Sequence, residues 1–292
     1  MNELTRKIHT PKPEWLKIKI PSGKNVFKIK KYLEERNLHT ICQDAKCPNM
    51  GECWNKNHAT FLIMGNTCSR NCLFCSVNTG RCEPIDINEP EKIAEMAEIM
   101  KLDYVVITSV TRDDLPDGGA AFFAEVVSVL KSRFKELKIE VLIPDFKGNP
   151  SNIDTVLNSK PDIINHNIET VRNLYKTVNR RPENYELSMS VLKHSSKNGF
   201  ITKSGIMVGL GESISELENL FDDLIKNGVD ILTIGQYLQP TPENLPVKKY
   251  YHPSDFSYLK EIAESKGFSG VVSGPFVRSS YNAMDLYKKV AG

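Results

Sequence analysis

Phe61-Leu62-Ile63-Met64-Gly65-Asn66-Thr67 runs directly into Cys68-Ser69-Arg70-Asn71-Cys72-Leu73-Phe74-Cys75. The first four residues are an apolar run of strand length, and the glycine and asparagine behind them end it. A strand thus delivers its C-terminal end into a loop with three cysteines in eight residues. Downstream, the strand signal recurs without the cysteines. It appears at Tyr104-Val105-Val106-Ile107, Ile139-Glu140-Val141-Leu142-Ile143, Asp162-Ile163-Ile164, Gly205-Ile206-Met207-Val208 and Ile231-Leu232-Thr233-Ile234. Amphipathic stretches lie between these runs, and the spacing predicts helices over 90–101, 120–134, 185–198 and 213–227. Pro90 suits a first helical turn, and Ser213 with Glu216 has the spacing of a capping box.

Alternating strands and helices imply parallel strands joined by helical crossovers. Six such units predict an α/β architecture, a partial (βα)6 TIM-type barrel. The barrel is expected over residues 58–250. Residues 1–57 form an N-terminal extension and residues 251–292 a C-terminal one.

The chain has 292 residues, ample for a core, and a net charge of +2, which points to neither nucleic acid nor a membrane surface. No apolar run is long enough to span a bilayer, and residues 1–15 lack the apolar core of a signal peptide, so a cytoplasmic protein is expected. In a reducing compartment the seven cysteines read as metal ligands or reactive thiols. They divide into Cys42, Cys47 and Cys53, then Cys68, Cys72 and Cys75, then Cys82 alone.

In parallel α/β barrels the loops at the C-terminal strand ends build the active site. Here those loops include residues 111–119, Asn165-His166-Asn167-Ile168-Glu169, Gly209-Leu210-Gly211-Glu212 and Gln236-Tyr237-Leu238-Gln239-Pro240. Three closely spaced thiolates can hold three corners of a [4Fe–4S] cube and leave the fourth iron open to a small molecule. A zinc knuckle completed by Cys82 or a histidine is the ordinary alternative.

Cys68-x3-Cys72-x-Phe74-Cys75 resembles the signature of the radical S-adenosylmethionine (SAM) superfamily. The upstream Cys42-x4-Cys47-x5-Cys53 and the late Arg278-Ser279-Ser280-Tyr281 narrow the resemblance to the lipoyl synthase family. Cys47-Pro48-Asn49, Gly51-Glu52-Cys53-Trp54 and the stretch from Lys203 through Glu212 are similar to that family too. The likeness runs from about residue 40 to the end. Asn244 and Asn282 depart from it, standing where many relatives carry histidine.

The resemblance implies two [4Fe–4S] clusters and two SAM per product. It implies insertion of sulfur at C6 and C8 of an octanoyl chain held on a lysine of a lipoyl-carrier domain. Such carriers are 2-oxoacid dehydrogenase E2 subunits and the glycine cleavage H protein. A low-potential donor such as flavodoxin or ferredoxin and iron–sulfur assembly proteins are implied as further partners. Cys68, Cys72 and Cys75 would hold the SAM cluster. Cys42, Cys47 and Cys53 would hold the auxiliary one, which is the sulfur donor. A serine of the RSSY motif would be its fourth ligand: Ser279 is taken first and Ser280 is the runner-up. Arg278, beside that ligand, is expected to act in catalysis.

Phe74, Gly118, Gly119, Asn165, Glu169 and Arg180 are the expected SAM-binding residues. Each also has an ordinary structural reading: a turn for the glycines, a loop cap for Asn165, a solvated helix start for Glu169, a surface pair for Arg180 with Arg181. His166 reads as a satisfied structural residue, Met207 as core and Cys82 as a free thiol. Two other functions compete. A radical SAM methylthiotransferase would carry a longer N-terminal domain and an RNA-binding module. A two-cluster electron carrier would leave the barrel without a purpose.

Overall fold

The computed structural model of the protein describes residues 11–17, 24–45, 47–55 and 58–292. Seven strands run parallel: β1 (Thr60–Ile63), β2 (Tyr104–Ser109), β3 (Lys138–Leu142), β4 (Ile163–Asn165), β5 (Ile201–Val208), β6 (Ile231–Gln236) and β7 (Gly270–Gly274). Each pairs with the next in sequence, with Phe61 opposite Ile107 and Met207 opposite Gly235. A short strand, His39–Thr40, pairs antiparallel with β1 and forms one edge of the open sheet. The crossovers are α1 (Glu89–Met100), α2 (Ala120–Arg133), α3 (Pro150–Asn158), α4 (Asn184–Lys197), α5 (Ile214–Lys226) and α6 (Pro253–Ser265), and α7 (Ala283–Ala291) closes the chain. This is the partial TIM-type barrel that the alternation predicts. The capping box at α5 is complete: Ser213 Oγ accepts from the Glu216 N–H, and Glu216 accepts from the Ser213 N–H.

The C-terminal segment adds something the sequence reading did not give. After α6 it contributes β7, which extends the sheet along β6. The run Gly270-Val271-Val272-Ser273-Gly274 is too short and too glycine-bounded to announce a strand. The open edge of β6 supplies what the sequence lacks. Gly270 also lets α7 close on the sheet, since a Cβ there would sit 3.3 Å from Leu286 Cδ2.

Alternate strand residues face opposite sides of the sheet. Phe61, Ile63, Val105, Ile107, Ile139 and Val141 face outward and share a core with Ile93, Met96, Phe123, Val127 and Leu130. Burying each large side chain of this kind contributes about 1.5–3 kcal/mol. The inner face is different. Tyr104, Val106, Ile163 and Ile231 form an apolar layer there, but Thr108, Glu140, Asn165, Lys203, Gly205, Thr233 and Gly235 are polar or lack a side chain, so branched residues fill only part of the barrel. Lys203 Nζ lies 3.0 and 2.9 Å from the two Glu140 oxygens, both side chains being fully buried. Asn165 Nδ2 and Tyr104 OH also donate to Glu140, each at 2.7 Å. Among the described residues no helix is long and apolar enough to cross a membrane.

Candidate functional site

The cysteine loop is aimed by the turn that ends β1. Met64 has φ +66° and Gly65 φ +88°. A left-handed methionine costs about 1–2 kcal/mol, and two buried contacts offset it. The Met64 N–H donates to Glu89 at 2.9 Å, and Arg112 Nη1 donates to the Met64 carbonyl at 3.2 Å. Burial, with Asp86 nearby, pushes the Glu89 carboxyl up to about 7. The chain then enters Thr67–Cys68, which pairs with Asn78–Thr79, so a small two-stranded sheet closes the loop at its base.

Cys68, Cys72 and Cys75 line one cavity of about 190 Å³, with Arg70, Phe74, Asp145, His166, Asn167, Glu169 and Arg180 around it. Burial pushes the Cys72 thiol up to about 11, against the pull of the Arg180 guanidinium. Burial pushes Cys75 up to about 12. These are neutral thiols in low-dielectric surroundings, which a thiophilic metal must deprotonate as it binds. Cys68 Sγ accepts from the N–H groups of Arg70 (3.4 Å) and Thr111 (3.3 Å).

A charged lattice ties the rim together. Arg70 forms paired hydrogen bonds with Asp113 (2.7 and 2.9 Å) and Asp145 (2.5 and 2.7 Å). Arg180 Nη2 lies 3.9 Å from Asp145, and its guanidinium stands 5.0 Å from the Tyr175 ring centre. Burial alone would raise Asp145, but Arg70 brings it down to about 2. Loops from β1, β2, β3 and β4 are thereby linked through Arg70 and Asp145. Neither Arg70 nor Asp145 was singled out from sequence. Arg70 sits among the variable positions of the cysteine motif, and Asp145 follows a proline with no motif around it.

Cys42, Cys47 and Cys53 line a second, narrower cavity of about 30 Å³ with Asn49, His58, Tyr104, Arg278, Ser280 and Tyr281. Burial and the adjacent Cys47 push Cys42 up to about 11, and burial raises Cys47 while Arg278 pulls it down. Asn49 Nδ2 donates to the Phe276 carbonyl at 2.6 Å, which pins this arm to the C-terminal segment. A third cavity, about 100 Å³, lies between the two: Asn167 and Glu169 line both it and the first, and Arg278 lines both it and the second. Gly205 makes this room, because a Cβ there would sit 2.7–2.8 Å from Asn167 Oδ1, Ser279 Oγ and Thr233 Oγ1.

Of the expected site residues, the six cysteines of the two triplets, Phe74, Glu169, Arg180 and Arg278 are brought to these cavities, and Ser279 to the third alone. Burial raises the Glu169 carboxyl, opposed by Arg180. Ser279 is not brought to the second triplet. Its hydroxyl donates to Asn167 Oδ1 at 2.7 Å and lines the third cavity, while Ser280 lines the cysteine-bearing one. Gly118 and Gly119 lie off the first cavity. They turn the chain into α2 with φ +64° and +89°, packed on Phe146 and Met64. Asn165 belongs to the interior network around Glu140. His166 is satisfied on both ring nitrogens. Nδ1 faces the Ile143 carbonyl at 2.8 Å, so it carries the proton, and Nε2 accepts from Ser188 at 3.0 Å. Met207 is half-buried beside the third cavity. Cys82 Sγ donates to the Thr67 carbonyl at 3.2 Å.

Among the described residues no three His, Cys, Asp or Glu side chains close on one point, as a single metal ion requires. The thiols instead stand round cavities. Soft sulfur donors spread over a volume suit an iron–sulfur cluster better than a mononuclear zinc site.

Known proteins match this chain closely. Residues 62–224 match the Radical SAM superfamily, and residues 2–47 match the N-terminal domain of lipoyl synthase of the Radical SAM family. The lipoyl synthase of Caldicellulosiruptor saccharolyticus is 49% identical over 283 residues, covering 96% of this chain and 99% of the relative. That of Bacillus subtilis is 49% identical over 278 residues, covering 94% and 93%. Among solved structures, the FeFe-hydrogenase maturase HydG from Carboxydothermus hydrogenoformans superposes with a TM-score of 0.59 at 13% identity, covering 91% of this chain and 68% of that one. That likeness shows the fold.

Proposed function

The chain belongs to the lipoyl synthase family of the radical SAM superfamily, and on that premise we propose that its two cysteine triplets work as a pair across the third cavity. It is an enzyme, a radical SAM sulfurtransferase of lipoate biosynthesis, whose cofactors are [4Fe–4S] clusters and SAM. Its substrate class is an octanoylated lipoyl-carrier protein. The reaction places two sulfur atoms at C6 and C8 of the octanoyl chain. Saturated carbons offer neither an acidic proton nor a leaving group, so side-chain acid–base chemistry cannot open them. When bound, the cofactors supply the hydrogen-abstracting radical and the sulfur.

The chain's own residues divide the work. Cys68, Cys72 and Cys75 hold the SAM cluster in the first cavity. Arg180 carries positive charge into that cavity, where it suits the SAM carboxylate, and Glu169 opposite suits the amine. Arg70 and Asp145 position Arg180. Phe74, Leu62 and Leu142 line the same space and keep water out. Cys42, Cys47 and Cys53, on the extension 1–57, hold the auxiliary cluster. Ser280, not Ser279, completes it. Its hard oxygen is a weaker partner for iron than thiolate, which makes that corner the easier one to dismantle. Segment 251–292 thus brings a ligand back to the extension, across the barrel at 58–250. Arg278 stands between the second and third cavities and faces the substrate. The third cavity takes the octanoyl chain.

The juxtaposition of two thiol-lined cavities through a shared third one carries this reading. E2 subunits and H protein are the proposed carriers, a flavodoxin or ferredoxin the proposed reductant, iron–sulfur assembly proteins the loading partners, and the cytoplasm the compartment. The test is an anaerobic assay of iron- and sulfide-reconstituted protein with SAM, a strong reductant and an octanoyl-lysine peptide. Mass spectrometry should find the peptide heavier by two sulfurs, through a one-sulfur intermediate. Formation of 5′-deoxyadenosine with an unchanged peptide would refute the substrate. Absence of both products, with both clusters loaded, would refute the pairing.

A further inference from the structure

The segment Asn71–Cys75 holds two of the three cysteines of the first cavity, yet it belongs to no helix or strand. Its backbone is held from outside. On one side, the Leu73 N–H donates to the Val178 carbonyl at 3.1 Å and Asn179 Nδ2 donates to the Asn71 carbonyl at 2.5 Å. On the other side stands the loop after β6. Asn244 Nδ2 donates to the Leu73 carbonyl at 3.1 Å and to the Cys75 carbonyl at 2.9 Å. The Leu245 N–H donates to the same Leu73 carbonyl at 3.1 Å.

Asn244 is itself fixed. Its Oδ1 accepts from the Thr241 N–H at 3.1 Å and the Thr241 hydroxyl at 2.9 Å. The Thr241 N–H needs an acceptor and the two carbonyls need a donor, so the amide has one orientation. Its carbonyl accepts from Gln239 Nε2 at 2.8 Å, and Tyr237 OH donates to the next carbonyl, that of Leu245, at 2.8 Å. Apolar contacts run parallel to these bonds: Phe74, Leu245 and Val247 pack against one buried group, Val178, Leu210 and Tyr237.

We infer that the loop after β6 is a clasp on the cysteine loop and that Asn244 is the positioning residue for Cys75. Its NH2 group bridges the two carbonyls that flank the Phe74-Cys75 pair. That fixes both peptide planes there, and with them the direction of the Cys75 Cα–Cβ bond. A site of this kind needs its donors held to about 0.5 Å, and an irregular loop cannot do so alone. The two carbonyl dipoles are also committed to the asparagine. A different commitment would change the electrostatics felt by the bound group. The inference rests on the proposal that Cys68, Cys72 and Cys75 hold a cluster.

The test uses the full chain with Cys42, Cys47 and Cys53 replaced by alanine, so that one site remains. Asn244→Asp is made in that background. It keeps the size and the Thr241 bonds, but sets an acceptor against two carbonyls. Both chains are reconstituted anaerobically with iron and sulfide, challenged with EDTA, and followed by visible absorbance and by electron paramagnetic resonance after reduction. The expected result is cluster retention about 10–100-fold weaker, the usual cost of losing an outer partner, with altered resonance positions. Asn244→Gln, which keeps the donors, should recover part of the retention. Equal retention and an identical spectrum in Asn244→Asp would overturn the clasp. Should that variant not fold, Asn244→Ala removes both amide donors without adding an acceptor and carries the same expectation, and its equality with the background overturns the clasp. A background chain that takes up no cluster would overturn the cysteine assignment itself.

Discussion

Replacing Lys203 by methionine removes the one cation that, among the described residues, pairs with a fully buried carboxylate, Glu140. Glu140 accepts four hydrogen bonds, two from Lys203 (2.9 and 3.0 Å), one from Asn165 and one from Tyr104 (both 2.7 Å). Neither Lys203 nor Glu140 has any side-chain exposure. Methionine restores most of the volume, so cavity formation is a minor cost. The remaining two donors are neutral and cannot balance a buried charge. Breaking such a pair costs about 3–5 kcal/mol. Glu140→Gln should cost a similar amount, since it strands the ammonium. The double variant leaves no charge: its amide oxygen accepts from Asn165, and its NH2 takes the place of the oxygen that faced Tyr104, whose hydroxyl can turn to accept. Its cost should therefore fall short of the sum of the singles by about 2 kcal/mol or more. Urea unfolding of the reduced, metal-free chain measures all three, with an unchanged m-value as the check that the same transition is compared. A single substitution costing under about 1 kcal/mol, or strictly additive singles, would show that water reaches the pair and that the barrel interior is not sealed.

Ser280→Ala should lower the iron held by a chain lacking the first triplet, whereas Ser279→Ala should leave that iron unchanged and cost about 1 kcal/mol for the lost bond to Asn167; iron and sulfide analysis decides between them. His166 is buried and its ring is held neutral, burial bringing it down to about 4 from 6.5. As pH falls from about 6.5 toward 4 the unfolded chain takes the proton first, so stability is lost over that window, roughly 3 kcal/mol in all. His166→Gln should flatten that part of the urea-unfolding profile, and an unchanged profile would contradict the buried neutral ring. Gly119→Ala forces a left-handed alanine whose Cβ meets Met64 Sδ, and a loss of about 2 kcal/mol in melting experiments is expected.

The Arg70–Asp145–Arg180 lattice and the Asn244 bonds share a consequence. The cysteine loop receives its shape from four neighbouring strand-end loops, while its own sequence contributes the sulfurs and the Arg70 guanidinium that those loops grip. Damage to activity should therefore follow substitutions far along the chain, at Asp145 or Asn244, as readily as substitutions beside the cysteines.

The repeating strands and helices were legible in the sequence because burial on a sheet face and a helix face leaves periods of 2.0 and 3.6 residues. The pairing of three cysteines with the end of the first strand was legible because it is local. β7 was not, since Val271-Val272-Ser273 becomes a strand only against the open edge of β6. The choice between Ser279 and Ser280 was not either. Adjacent residues point in different directions: Ser279 bonds Asn167 beside Gly205, while Ser280 lines the cavity of Cys42, Cys47 and Cys53. Gly118, Gly119 and Asn165 carried signals that fit a cofactor loop, yet tertiary contacts assign the glycines to a turn packed on Met64 and Phe146 and the asparagine to a buried carboxylate. Sequence by itself determined which chemistry the chain can do, because reactive groups are residue types at fixed spacings. Tertiary structure decided which copy of each group reaches the cavities, because direction is set by contacts between segments far apart in the chain.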